Sequence, residues 1–159
     1  MSSFSKELAN IMKSHLDSYE LKYDFDEYDG TFTFSLKLSG KIKRVICYVM
    51  VGKNSYNVVG FLDSPDFDDK HIPAISEFLH RINCLCHESR FELDADGKTV
   101  CCTQCINCKG VTPNDELINY TISDIVFCIK EYGDGLVDVI EGRSTPKEIC
   151  DNYEKELLS

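Results

Sequence analysis

Residues 31–51 read TFTFSLKLSGKIKRVICYVMV, and this stretch decides the fold class. In its first half, apolar side chains alternate with polar ones, at Phe32, Phe34, Leu36 and Leu38. The alternation predicts an antiparallel strand with one buried face. Leu36 and Leu38 are expected to face the core, and Lys37, on the opposite face, to face water. Residues 42–51 are apolar on both faces, which predicts a central strand that is covered on both sides.

Short turns around these residues predict an antiparallel meander. Asp29-Gly30 precedes the first strand, and an Asp-Gly pair supplies the positive φ angle that a tight hairpin turn requires. Gly52-Lys53-Asn54 leads into a third strand over residues 56–62. Connections this short leave little choice but antiparallel pairing. A separate hairpin is expected between residues 90–94 and 98–107, because Asp94-Ala95-Asp96-Gly97 is a turn sequence.

Helical periodicity flanks the strands. Residues 4–19 place apolar side chains three and four positions apart, and acidic residues on the polar face favour docking on a sheet over a membrane surface. A second helix is expected from Pro73, because proline suits a first helical turn. Strands that are grouped between helices, rather than alternating with them, predict an α+β fold. We expect one domain over residues 1–159, with helices packed on a twisted antiparallel sheet.

Two further helices are predicted in the C-terminal third of the chain. The first is expected to have Thr112 as its cap and Pro113 at its first position, and Gly133 can end it. Three apolar residues fall outside its main stripe and are available to a second subunit: Val126, Phe127 and Cys128. The last helix begins at Thr145-Pro146-Lys147-Glu148, which has the sequence of a capping box.

The composition limits the classes of partner. The 159 residues include 17 Lys and Arg against 27 Asp and Glu, which gives a formal net charge of −10. Such a surface repels phosphate backbones and anionic lipid, so neither nucleic acid nor membrane is an expected partner. No apolar run approaches the roughly 20 residues of a spanning helix, and residues 1–7 lack an apolar signal core. The sequence therefore predicts a cytoplasmic protein.

Nine cysteines are the unusual feature of the composition, and the densest group is the run Cys101-Cys102-Thr103-Gln104-Cys105-Ile106-Asn107-Cys108. Two overlapping C-x-x-C spacings are typical of a zinc knuckle, so a zinc- or thiol-dependent function would use Cys102, Cys105, Cys108 and His87. Against this, the run continues a strand, where side chains three apart point to opposite faces, and no turn residue separates the cysteines. Reduced, metal-free core thiols are the favoured interpretation.

Other chemistries are less well supported by the sequence. The odd cysteine count and the absence of a signal disfavour structural disulfides. A thioredoxin-like pair would lie at a helix start, whereas the next helix begins only after Gly110. A cysteine nucleophile with a histidine base stays open, because such partners meet in space. No phosphate-loop, dinucleotide, hydrolase or metalloprotease motif is present, so we assign no catalytic, cofactor or metal residue and expect no enzyme.

From residue 71 onward the chain resembles the YbjN-domain family. The resemblance begins with a helix ending Phe78-Leu79-His80-Arg81-Ile82-Asn83, then Arg90-Phe91-Glu92-Leu93-Asp94 and a turn at Gly97. It continues through Pro113-Asn114-Asp115-Glu116-Leu117 to an ending with Tyr132-Gly133-Asp134-Gly135-Leu136, Val139-Ile140-Glu141-Gly142 and Thr145-Pro146-Lys147-Glu148. The cysteine-rich strand departs from the charged and aliphatic strand that is usual in this family.

The resemblance implies a fold like that of type III secretion chaperones, often self-associating, with a binding or regulatory role. We therefore expect a non-catalytic cytoplasmic protein-interaction or regulatory module without a cofactor. Its expected partner is another polypeptide, and a homodimer is one form that this interaction can take. The alternative is the zinc- or thiol-dependent protein that uses the Cys101–Cys108 cluster.

Overall fold

The computed structural model describes residues 3–159, which form six β-strands and four α-helices. In chain order these are α1 (Lys6–Ser18), β1 (Asp24–Asp26), β2 (Thr31–Lys37), β3 (Arg44–Val51), β4 (Ser55–Leu62), α2 (Ile72–Asn83), β5 (Arg90–Asp94), β6 (Thr99–Asn107), α3 (Asp115–Ile140) and α4 (Pro146–Leu158). The predicted α+β class is confirmed, and the short strand β1 adds an edge to the predicted meander.

All six strands belong to one antiparallel sheet with the order β1-β2-β3-β4-β6-β5. Strands β1 to β4 form the meander, and the β5–β6 hairpin joins it through β6. The register aligns one inward-facing row across five strands, at Phe34, Cys47, Gly60, Cys102 and Phe91. This row lies beneath α3, because the side chain of Ile129 comes within 3.0 Å of the position that a Cβ atom on Gly60 would take.

The opposite, outer face of the sheet is open to solvent, so the prediction that residues 42–51 are covered on both sides is wrong. On β3, Ile46 and Tyr48 are only half-buried and Met50 is 39% exposed. These side chains are shielded by neighbours on the same face, since the Tyr48 ring packs edge-on against Phe61 at 5.6 Å between centroids. Cross-strand packing of this kind lets apolar residues stand on a half-solvated face without a second layer.

The first boundary of α3 differs from its prediction. The helix begins after Asn114, whose side chain accepts a hydrogen bond from the Leu117 amide at 2.8 Å, so asparagine replaces Thr112 as the cap. At the start of α4 the predicted capping box is confirmed, with Thr145 and Glu148 exchanging hydrogen bonds.

The second boundary also differs, because the helix runs through Gly133 to Ile140. Gly133 serves packing instead of termination: a Cβ atom there would come within 2.8 Å of the Ile42 side chain. The extra two turns bring α3 against the connection between β2 and β3.

An ion network fixes this end of α3. Asp138 accepts hydrogen bonds from the ammonium group of Lys41 at 2.5 Å and from the guanidinium group of Arg143 at 2.8 Å. The Lys41 and Arg143 cations hold the pKa of the Asp138 carboxyl below its usual range, against an opposing contribution from burial. The ionised Asp138 carboxylate therefore stabilises the fold fully above the pKa of an aspartate in the unfolded chain, about 3.9. This stabilisation is lost as the pH falls through the lower pKa that Asp138 has in the folded protein.

We expect Asp138→Asn to lower the melting temperature by about 2 °C at pH 7 and by less at about pH 2, because the carboxyl takes up its proton as the pH falls through its folded pKa. Thermal melts followed by circular dichroism at the two pH values measure this. Asp96→Asn, which removes an exposed carboxylate in the β5–β6 turn, is the control and should show no such pH dependence. An equal loss for Asp138→Asn at both pH values would contradict the assignment.

Candidate protein-binding groove and cysteine cluster

An apolar groove of about 400 Å³ lies between α1 and α3. Its floor is formed by aliphatic side chains from both sides, at Leu21, Leu36, Ile122 and Val126. The Leu36 side chain is only half-buried because it ends in this groove, although it packs on the core as predicted, while Lys37 is exposed. The groove therefore presents apolar surface that the fold itself leaves uncovered.

Two aromatic side chains flank the groove. Tyr19, just after α1, is 55% exposed, and Phe127 on α3 is 59% exposed. Both line the groove, so together they offer an apolar side chain a site with aromatic walls. Exposed aromatic residues beside an apolar floor are typical of protein-binding surfaces.

The three residues of α3 that were predicted to be available to a second subunit differ in their exposure. Phe127 is exposed and Val126 is half-buried in the groove floor, which leaves both available to a partner. Cys128 points the other way and is only 4% exposed, so the prediction that it lies outside the core-facing stripe is wrong.

A buried histidine, His15, lines the groove and links its two helices. His15 is 2% exposed, and its Nδ1 atom lies 3.2 Å from a carboxylate oxygen of Asp115, at the first position of α3. Its ring also packs against Tyr19, with 4.9 Å between centroids. The pair connects α1 to the start of α3, which fixes the spacing of the two groove walls.

The sheet edges are less suited to a partner than the groove. One edge strand, β1, has three residues and carries Asp24 and Asp26, while β5 at the other edge has five residues and carries Arg90, Glu92 and Asp94. Short, charged edges are features that oppose the addition of a foreign strand. Addition of a partner strand to either edge of the sheet is therefore disfavoured.

The run of cysteines that the alternative, zinc- or thiol-dependent function would use is divided between different surroundings. Cys102 faces the core and is fully buried, whereas Cys105 lies on the outer face and is exposed. Cys108 lies beyond the end of β6, where it is buried, and His87 is exposed in the loop after α2. The proposed ligands Cys102, Cys105, Cys108 and His87 thus do not share one side of the sheet, because alternate residues of a strand face opposite ways.

Instead, Cys102 meets two cysteines that are distant in sequence. The thiols of Cys102 and Cys86 act as hydrogen-bond donors that lower the pKa of Cys128, so β6, the loop after α2 and helix α3 each contribute one cysteine here. We call Cys86, Cys102 and Cys128 the cysteine cluster. Within residues 3–159, no group of three or more His, Cys, Asp or Glu side chains is arranged to hold a metal ion.

A buried polar network borders the cysteine cluster. The Ser89 hydroxyl lies 3.3 Å from the Gln104 side-chain oxygen and closer still to a carboxylate oxygen of Asp124. Gln104 in turn donates to Glu88 at 3.0 Å. Since Gln104 shares a strand face with Cys102 and Asp124 lies one turn before Cys128, the network fixes β6 against α3 at the cluster.

The three thiols of the cluster have different proton affinities. Hydrogen bonds donated by the thiols of Cys102 and Cys86 lower the pKa of Cys128, against the opposing effect of burial. In Cys86 and Cys102 the same hydrogen bonds raise the pKa, and burial raises it further. When one proton leaves the cluster, the negative charge therefore resides on Cys128, with two thiol donors beside it.

Comparison with solved structures finds a similar fold. The chain superimposes on the crystal structure of YbjN from E. coli, a candidate transcription regulator, with a TM-score of 0.57. The match covers 79% of this chain and 90% of that one, at 9% sequence identity. No protein-family model matches the sequence, and neither does any curated protein.

These observations define the protein first as a single α+β domain with one helix-covered sheet face. More specifically, the chain has a YbjN-like fold, as the resemblance over its second half implied. Sequence reasoning missed the groove and the cysteine cluster, because both depend on how α3 lies across the sheet. Among the helices in residues 3–159, none is both long and apolar enough to cross a membrane.

Proposed function

We propose that this protein is a non-catalytic interaction or regulatory module that binds a segment of another polypeptide in the groove between α1 and α3. The observation that carries the proposal is the groove itself, with an aliphatic floor and the exposed rings of Tyr19 and Phe127 on its sides. The YbjN-like fold supports it, because the matched protein is described as a candidate regulator. Nine unpaired cysteines suit a reducing compartment such as the cytoplasm.

The charge of the protein indicates the chemistry of the partner segment. A formal net charge of −10 attracts basic polypeptides and repels acidic ones over distances near the Debye length. The groove floor requires an apolar side chain to anchor the segment, and the fixed spacing of two helices suits an amphipathic helix. We therefore propose a partner helix with an apolar stripe and flanking Lys or Arg residues.

A second copy of the chain is the other occupant to test. Two copies would bring together two net charges of −10, which opposes their association at low salt. Light scattering across a concentration series distinguishes this case. If the protein forms a dimer and Phe127→Lys dissociates it, the groove binds a second copy of the chain instead of a basic partner.

The binding test uses a library of displayed peptides selected on the purified protein. We expect the enriched peptides to carry an apolar stripe with Lys or Arg beside it. Phe127→Lys should weaken binding of a selected peptide about tenfold or more, because it removes an aromatic wall and adds a charge next to the anchor. Fluorescence anisotropy with a labelled peptide measures the affinity.

Tyr28→Lys is the matched control for this test. Tyr28 is 91% exposed in the β1–β2 turn, outside the groove, so the variant makes the same kind of substitution without touching the groove. Its affinity for the selected peptide should stay within about twofold of the parent protein. Equal affinities for all three proteins, or turnover of a small molecule by the protein, would overturn the proposal.

A further inference from the structure

We propose that the open outer face of the sheet is a second docking surface, which binds a basic amphipathic helix of another polypeptide along strands β3 and β4. This face lies on the side of the sheet opposite α3, and none of its residues lines the groove. The inference therefore goes beyond the function proposed for the groove, and it stands whether or not the groove binds a partner.

The apolar residues of the outer face are concentrated on its central strands. On β2 the outward side chains are polar, as is usual for a solvated sheet face: Thr31, Thr33, Ser35 and Lys37. On β3 and β4 four large apolar side chains point outward and form what we call the outer patch: Ile46, Tyr48, Met50 and Phe61. Neighbours shield them only in part, since Met50 is 39% exposed and the other three are half-buried. Exposed apolar surface that polar residues border is typical of interaction sites.

Acidic residues border the outer patch on the β1 side. Asp24 and Asp26 are exposed and point outward from β1, and the register aligns them with Tyr48 and Met50 across β2. Within residues 3–159, neither of these two carboxylates forms an ion pair. Four carboxylates line one recess of about 570 Å³ beside Tyr48: Asp24, Asp26, Glu27 and Asp29. This border is therefore strongly negative and open to a cation.

The other borders of the face carry cations that offset their acids. Lys37 and Arg44 are neighbours across β2 and β3 at one end, and Arg44 lies 3.8 Å from Asp63. On β5, the Arg90 guanidinium is 2.9 Å from the Glu92 carboxylate. A partner therefore gains most from charge complementarity by placing Lys or Arg residues on the β1 side.

The spacing of the apolar and acidic rows fits a helix. The outward residues of β3 between positions 46 and 50 form a row about 14 Å long, which about nine residues of an α-helix would cover. The acidic row on β1 runs beside it, two strands or about 10 Å away. A helix about 10 Å wide that lies along β3 and β4 thus places an apolar stripe on the outer patch. Lys or Arg side chains on its flank can then extend toward Asp24 and Asp26.

The test selects peptides from a displayed library on the Phe127→Lys protein, in which the groove is impaired. Failure of the groove proposal therefore does not decide this experiment. We expect the enriched peptides to carry an apolar stripe with Lys or Arg beside it, and fluorescence anisotropy measures the affinity of a labelled one. Met50→Lys in the same background should weaken binding about tenfold or more, because it adds a cation at the centre of the docking surface.

Charge reversal separates the acidic border from the general charge of the protein. Asp24→Lys and Asp96→Lys raise the net charge equally, but Asp96 is exposed in the β5–β6 turn, away from the outer patch. Asp24→Lys should weaken binding about fivefold at low salt, and Asp96→Lys should stay within about twofold. The difference should shrink at about 1 M salt, where the Debye length is about 3 Å. Circular dichroism checks that each variant keeps the fold.

Three results would overturn the proposal. Equal affinities for the Met50→Lys and Asp96→Lys proteins would exclude the outer patch as the binding surface. Enrichment of acidic peptides, or of no peptide at all, would exclude a basic helix as the occupant. A dimer in light scattering that Met50→Lys dissociates would make a second copy of the chain the occupant, although two net charges of −10 oppose that association.

Discussion

Phe32→Ala is expected to lower the free energy of unfolding by about 3–5 kcal/mol. The Phe32 side chain is fully buried, and its ring contacts those of Phe25 and Tyr23, with centroids 4.4 and 5.4 Å away. Truncation to alanine removes these contacts and leaves a cavity that the rings of Tyr23 and Phe25, held before and within β1, cannot fill. Urea denaturation followed by circular dichroism measures the change.

The neighbouring residue provides the control for Phe32→Ala. Thr33 lies on the outer, open face of the same strand, opposite Tyr48, and is half-buried. Thr33→Ala should cost less than about 1 kcal/mol, because little apolar surface and no cavity are involved. Equal losses at Phe32 and Thr33 would mean that the strand does not separate a core face from an open face.

Alternation made the sheet predictable from sequence. In β2 polar and apolar residues alternate strictly, so a single orientation of the strand buries all of its apolar side chains. The predicted faces of Phe32, Leu36 and Lys37 are confirmed. Strand β3 misled the prediction because Ile46 and Tyr48 are apolar on the outer face. A linear pattern cannot show that Tyr48 is shielded by Phe61, a residue of the next strand.

The sites were harder to predict than the fold, since they depend on contacts between elements far apart in sequence. Cys86, Cys102 and Cys128 lie on a loop, a strand and a helix, and no spacing rule relates them. The local run from Cys101 to Cys108 attracted attention for its density, although a strand separates its members between two faces. The groove depends on how α3 is placed relative to α1, and the periodicity of apolar residues along each helix does not show this placement.

Helix α3 also shows why glycine alone is a weak stop signal. Gly133 and Gly135 both lie within the helix, where glycine costs about 1 kcal/mol relative to alanine. Packing explains their presence. At Gly135, a Cβ atom would lie 2.5 Å from the Tyr153 hydroxyl oxygen, 2.9 Å from an Ile149 methyl group and 3.1 Å from the Phe78 ring. The glycine therefore allows α2 and α4 to approach the backbone of α3.

Gly135→Val is accordingly expected to lower the free energy of unfolding by about 2–3 kcal/mol, although valine is slightly the better helix former. Three side chains converge on the added group, and two of them, Ile149 and Phe78, are held between helices. Chemical denaturation of the purified variant measures the loss. Glu131→Val, on the exposed surface of the same helix, is the control and should cost no more than about 0.7 kcal/mol.

A second substitution tests whether the loss at Gly135 comes from this steric conflict. Tyr153→Phe removes the hydroxyl oxygen, which is the atom closest to the new Cβ position. In the Gly135→Val background it should recover at least about 0.5 kcal/mol relative to its effect in the parent protein. Additive effects of the two substitutions would show that Tyr153 does not limit this approach. The close packing of α4 on α3 would then depend on Ile149 and Phe78, whose side chains have less freedom to move away.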